Sequence, residues 1–131
     1  MGRNNGFTLL ELMVVLVIVG ILATLGFVQY TAVIERGRAA EARANLGTLR
    51  VLQQSYQQDN NPDFGTMANL NSEYSTGLPT TGSACTNTGF FYGYSCDTAN
   101  GSCTATRCTA GGKDPQGGGG TIALSTDGQW S

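Results

Sequence analysis

The sequence predicts an α+β fold in which a long N-terminal α-helix packs against a small antiparallel β-sheet. Three observations carry this. No charge occurs between Leu12 and Val28. Beyond that run, apolar residues recur at spacings of three and four as far as Tyr56, the period of one helix face. The last third then holds short aromatic and β-branched stretches separated by Asn-Gly and Asp-Gly, which are turn signals.

The first element is apolar from Phe7 to Val28, 22 residues with Glu11 as the one charge. A helix rises about 1.5 Å per residue and about 20 residues cross the hydrocarbon core, so this segment is long enough to span a membrane. Met1 to Gly6 is too short for a secretory leader with its own apolar region, and no Ala-x-Ala site follows the run. The apolar segment is therefore expected to stay with the protein as an anchor behind a short tag. A carboxylate at membrane depth costs about 2.5–3.5 kcal/mol on insertion scales, and such residues usually find a partner. In the first helical turn Glu11 also complements the macrodipole. The plain alternative is a signal anchor whose acid snorkels to the interface. It explains neither Gly6-Phe7 nor the placement of the acid.

Residues 29–59 continue the helix into water. Ala39, Ala42, Leu46, Leu49, Gln53 and Tyr56, with Leu52 beside them, form the apolar face. Glu35, Arg36, Arg38, Glu41, Arg43 and Arg50 populate the others. Leu46 to Tyr56 reads as an ordinary core-facing helix, and the opposite side is open to other subunits. Asp59-Asn60-Asn61-Pro62 supplies the stop. One helix from Phe7 to about Asp59 would be about 75–80 Å long.

Residues 60–131 form the expected head. Its large apolar residues are few, so the core is modest and calls for support from the helix and from cross-links. Cys85, Cys96, Cys103 and Cys108 supply the cross-links as two disulfides in an oxidising compartment. Three pairings are open. Their gaps of ten, six and four residues contain no CxxC pair, which argues against zinc. Pro62 to Ala84 reads as an irregular loop with a short helical turn near Met67–Leu70. Phe90–Cys96, Cys103–Cys108 and Gly120–Thr126 read as strands, with Asn100-Gly101 and Asp127-Gly128 turning the chain. Adjacent Phe90 and Phe91 point to opposite faces of a strand, so one of them faces the helix.

The composition excludes several function classes. Seven basic against nine acidic residues, a net charge of −2, oppose a generic nucleic-acid binder. The chain has no His, so Ser-His and Cys-His nucleophile pairs are absent. Gly111-Gly112-Lys113-Asp114 with Gly117–Gly120 imitates a phosphate loop. Asp114, however, stands where Ser or Thr should follow the lysine, and Arg107 where the first glycine should be. No enzyme and no cofactor is expected. Asn100-Gly101-Ser102 fits a glycosylation acceptor sequon.

Gly6-Phe7-Thr8-Leu9-Leu10-Glu11-Leu12 resembles the processing motif of type IV prepilins and of the related pseudopilins of type II secretion. The resemblance is close from Met1 to Tyr30 and elsewhere lies only in layout. It implies cutting between Gly6 and Phe7 by prepilin peptidase, a membrane aspartic peptidase, and N-methylation of Phe7. The implied organisation is a cleaved leader (1–6), a transmembrane and filament-core helix (7–28), an amphipathic helix (29–59) and a pilin head (60–131). The implied partners are other pilin subunits and an inner-membrane assembly platform. Storage as a single-pass protein of the bacterial inner membrane would precede export into an extracellular pilus or a periplasmic pseudopilus. Major pseudopilins carry a calcium site in the C-terminal loop. Asp114, Ser125 and Asp127 are the candidate oxygen donors here, but they match no fixed ligand spacing, and no metal is expected.

The motif also has a physical logic. Gly6 has no side chain, so the backbone there can lie extended in a protease cleft. Cutting after it frees a cationic amine on Phe7, and that amine on a neighbouring subunit can neutralise Glu11 inside a filament. The expected function is a structural subunit of a type IV pilus. The alternatives are a type II secretion pseudopilin, or a minor pilin acting as an anchored binding module. Two features depart from the pattern. Arg36, Arg38 and Arg43 outnumber Arg3 across the span, so the basic count does not favour the family's orientation. Val28 stands where many family members carry a proline, leaving Gly20 and Gly26 as the weak points of the helix.

Overall fold

The structure is a computed structural model, which describes residues 2, 6–61, 63–80, 85, 89–115 and 120–131. Most of the leader and the Gly117–Gly119 part of the imitation phosphate loop lie outside the described residues. In order, the elements are helix α1 (Leu9–Asn60), helix α2 (Met67–Tyr74) and strands β1 (Tyr92–Cys96), β2 (Cys103–Arg107) and β3 (Thr121–Leu124). The chain divides into two compact units, Met1–Gly37 and Arg38–Ser131.

The first unit is the apolar part of α1. The backbone stays helical through Gly20, Gly26 and Val28. Every described large apolar side chain from Phe7 to Val33 is at least 50% exposed. A helix that is apolar all round and covered by nothing of its own suits lipid or other helices rather than water. Thr24, inside this stretch, satisfies its hydroxyl on the Ile21 carbonyl at 2.8 Å. In lipid that bond replaces the one water would have made.

The second unit holds the core. Ala42, Leu46, Leu49 and Gln53 of α1 are fully buried, and the expected face is completed by half-buried Ala39, Leu52 and Tyr56. They pack with Met67 and Leu70 of α2, Leu78, Tyr92 and Tyr94 of β1, Cys103 and Ala105 of β2, and Leu124 of β3. The sheet is an antiparallel meander in the order β1-β2-β3. Cys96 lies opposite Cys103 and Tyr92 opposite Arg107, while Cys103 lies opposite Leu124 on the other side. Alternation along β2 buries Cys103, Ala105 and Arg107 on one face.

The strands are shorter than the sequence suggests. Phe90 and Phe91 fall outside β1 because their carbonyls accept from Lys113 N–H (3.0 Å) and Cys108 N–H (3.1 Å) of the following loop. Neither ring is fully buried. Tyr92 and Tyr94 take the core positions instead. The Asn100-Gly101 hairpin is also not a two-residue turn. Gly101 N–H closes on the Asp97 carbonyl at 2.9 Å, and Asp97 N–H on the Ser102 carbonyl at 2.9 Å, making a longer loop with Gly101 at φ 66°. Both sheet edges are covered. Tyr94 N–H donates to the Pro79 carbonyl at 2.9 Å, and Ser131 exchanges two backbone bonds with Ala123 (2.8 and 3.0 Å). The short turn expected near Met67–Leu70 is the two-turn helix α2, opened by a capping box between Thr66 and Asn69.

Candidate functional site

The site expected from the sequence is the start of α1. Gly6 and Phe7 precede the helix in non-helical conformation, and Phe7 is 80% exposed. Nothing lies within 4 Å of where a Cβ on Gly6 would be. Both residues of the Gly6–Phe7 bond are thus exposed. Thr8 is the pivot. Its carbonyl accepts from Glu11 N–H (3.1 Å) and Leu12 N–H (3.3 Å), and its Oγ1 also accepts from Glu11 N–H at 3.3 Å. Thr8 therefore caps α1, satisfying a donor that the first turn would leave open. Glu11 follows in that first turn, exposed and four residues from Phe7. Its carboxylate stands at the positive end of the helix, beside the place a processed N-terminus would occupy. Thr8 is absent from the sequence-based site, although the Thr-x-x-Glu spacing of a capping box marks it.

The head contributes a second arrangement. The four cysteines pair as Cys85–Cys108 and Cys96–Cys103, with Cα separations of 5.5 and 4.1 Å. The second pair closes β1 onto β2, and the first ties Cys85 to Cys108, just after β2. Arg107 lies at the end of β2, 3% exposed. Its guanidinium donates to the Phe91 carbonyl (2.9 Å) and the Asp114 carbonyl (2.8 Å), which satisfies a charge that burial would otherwise make costly. Around the Phe91 ring stand Arg38 (4.5 Å), Lys113 (5.1 Å) and Arg107 (5.4 Å), in cation–π range. Arg38 also pairs with the carboxylate of Asp114.

The three suggested calcium donors are not brought together as a site. Asp114 is engaged by Arg38, while the Ser125 hydroxyl donates to the Asp127 carboxylate and accepts from Gln129 N–H at 3.0 Å. Among the described residues no group of three His, Cys, Asp or Glu side chains gathers to hold a metal. That Ser125 hydrogen bond holds the Asp127 carboxyl below its ordinary range. Burial pushes the Tyr94 phenol above its ordinary value, opposed by the hydrogen bond that Asn45 Nδ2 donates to it at 2.8 Å.

A long helix opening on Gly-Phe-Thr-Leu-Leu-Glu, apolar in its first half and packed in its second against a three-stranded antiparallel sheet, is a pilin-like arrangement. The comparisons agree with it. Residues 1–27 match the family model described as the prokaryotic N-terminal methylation motif. The chain is 41% identical over 64 residues to the type IV major pilin protein PilA of Myxococcus xanthus (strain DK1622), covering 47% of this chain and 29% of that protein. It is 33% identical over 69 residues to a probable minor fimbrial protein of Dichelobacter nodosus, covering 53% and 43%. The chain thus spans less than half the length of either relative. No solved structure matches it significantly. The motif and these relatives make the chain similar to type IV pilins over its N-terminal half.

Proposed function

We propose that this chain is a structural subunit of a type IV pilus. It is held in the inner membrane by residues 7–28, cut between Gly6 and Phe7 by prepilin peptidase and N-methylated on Phe7. The assembly platform then draws it from the membrane into an extracellular filament. The observation that carries this is the pairing of an exposed Gly6–Phe7 bond with a helix exposed and apolar all round, headed by one carboxylate. In lipid that carboxylate is a cost. Against the Phe7 amine of a neighbour it becomes a specific contact. The similarity to a minor fimbrial protein favours a second reading, a minor pilin present in few copies. A pseudopilin of type II secretion shares the same helix logic.

Mass spectrometry of assembled material tests the leading reading. N-methyl-Phe7 as first residue is expected, and an intact Met1 terminus in assembled subunits overturns it. Imaging a deletion strain beside an exoprotein secretion assay separates the others. Loss of surface filaments with normal secretion marks a pilus, and the reverse marks a pseudopilus.

A further inference from the structure

Asn100 stands in the loop between β1 and β2, exposed, at the head of Asn100-Gly101-Ser102. The loop is held from several sides. Gly101 N–H donates to the Asp97 carbonyl and Asp97 N–H to the Ser102 carbonyl, both at 2.9 Å. Thr126 Oγ1 donates to the Asn100 carbonyl at 3.2 Å, and the Cys96–Cys103 disulfide closes the base of the loop. On this fixed backbone the Asn100 side chain folds forward onto Ser102. Its Oδ1 accepts from Ser102 N–H at 2.9 Å and from Ser102 Oγ at 2.6 Å. A backbone N–H only donates, so the atom it faces is the oxygen, and the amide orientation follows. Nδ2 is left at the open end of an exposed side chain, with no acceptor among the described residues.

An amide nitrogen is a poor nucleophile because its lone pair is drawn into the carbonyl. Two donors on Oδ1 stabilise negative charge there, which favours the state in which Nδ2 has shed a proton and holds its lone pair for attack. The competing reaction of this side chain is attack of the Gly101 nitrogen on Cγ, which would expel ammonia. Gly101 is buried and its N–H is committed to Asp97, so the geometry reserves reactivity for Nδ2. We propose that Asn100 is an acceptor for an N-linked glycan, supplied as a sugar activated on a lipid diphosphate. Nδ2 bonds to the anomeric carbon, the bond from that carbon to the diphosphate oxygen breaks, and lipid diphosphate leaves with the electron pair. The Nδ2 proton passes to a carboxylate of the transferase. Ser102 is the positioning residue, acting through Oδ1. The two disulfides belong to an oxidising compartment, where exposed loops of this pattern are the acceptors. This rests on the head alone and stands whether or not the chain is a pilin.

Mass spectrometry of the Asn100 peptide, from full-length chain purified from the cells that produce it, tests this. A glycan mass on Asn100 is expected in the wild type and none in Asn100→Gln. Ser102→Thr, which keeps the hydroxyl, should retain wild-type occupancy, and Ser102→Ala should lower it about tenfold, the worth of one hydrogen bond. Melting temperature and disulfide content establish that each variant folds. A wild-type peptide of unmodified mass overturns the proposal. So does conversion of Asn100 to aspartate or isoaspartate without a glycan, which would make the Gly101 nitrogen the one that reacts. Full occupancy in folded Ser102→Ala overturns the activation through Oδ1 on which the proposal stands.

Discussion

Gln53 grips Gly65 with both ends of its amide. Oε1 accepts from Gly65 N–H at 2.9 Å, and Nε2 donates to the Gly65 carbonyl at 2.6 Å. Both bonds are buried, and Gln53 itself is 0% exposed. The side chain acts as a piece of backbone, pairing with a loop that no strand reaches.

Leucine at this position keeps the bulk and strands two buried polar groups. Each unsatisfied group costs about 1–3 kcal/mol, so Gln53→Leu is expected to destabilise the chain by about 2–4 kcal/mol, net of the added apolar burial. Thermal unfolding in detergent micelles measures this. A loss under 1 kcal/mol would mean that water replaces Gln53 and that the grip is dispensable.

Gly101 and Gly77 share φ 66° but not surroundings. A Cβ on Gly101 would lie 2.5 Å from the Phe64 ring and 2.7 Å from Thr126, whereas nothing lies within 4 Å at Gly77. Gly77→Ala is expected to cost about 1–2 kcal/mol for the left-handed backbone alone. Gly101→Ala adds an overpacking cost of about 1–3 kcal/mol. Equal effects in unfolding experiments would mean that the Phe64 contact yields freely.

The core helix and the sheet show what is legible in the sequence. The core face of α1 is, because Ala42, Leu46, Leu49 and Gln53 keep the helical period and the single polar member still counts on the inner side. The strand centres are legible too, but their ends are not. The Phe90 and Phe91 carbonyls go to loop partners distant in sequence, and no local pattern announces such pairing. In the sequence Arg107 stands out only as a misfit to a phosphate loop. Its burial follows from the alternation that puts it on the face of Cys103 and Ala105, and its partners come from two other segments. The cysteine pairing needed the strand register, which the sequence left open among three choices.

The two disulfides close loops of different length, with sequence separations of 23 for Cys85–Cys108 and 7 for Cys96–Cys103. In the chain-entropy model these are worth about 3.4 and about 2.4 kcal/mol. Removing the first pair as Cys85→Ala/Cys108→Ala should therefore lower stability by about 1 kcal/mol more than Cys96→Ala/Cys103→Ala. The reverse order in denaturant unfolding would show that the native packing of Cys103 outweighs loop closure.

Tyr94 sets an alkaline limit. Burial raises its pKa in the folded state above the unfolded value of about 10, so the folded chain holds this proton more tightly. The corresponding stability is fully present below about pH 10 and is lost as pH rises from there through the folded-state pKa. Tyr94→Phe should flatten this alkaline loss while lowering stability near neutrality, because Asn45 loses its acceptor. An unchanged alkaline limb in short-time unfolding measurements would assign the loss to another group.

Thr8 and Glu11 separate helix capping from charge pairing. Thr8 Oγ1 and the Thr8 carbonyl both receive Glu11 N–H, so Thr8→Ala removes a cap and leaves the carboxylate. That substitution should cost about 0.5–2 kcal/mol of local helix stability and fray the first turn. Glu11→Val keeps the cap and removes the charge, which should ease residence in the membrane by about 2.5–3.5 kcal/mol. On the pilin reading, Thr8→Ala filaments are expected in reduced but substantial yield, and Glu11→Val filaments to be nearly absent despite normal membrane insertion. Glu11→Gln sharpens the comparison, since it keeps shape and hydrogen bonding while discarding the charge that the proposed pairing with the Phe7 amine requires. If Glu11→Gln assembles like wild type, the acid serves the helix start. If it fails as Glu11→Val does while Thr8→Ala assembles, the contact between carboxylate and processed amine is what the motif exists to make.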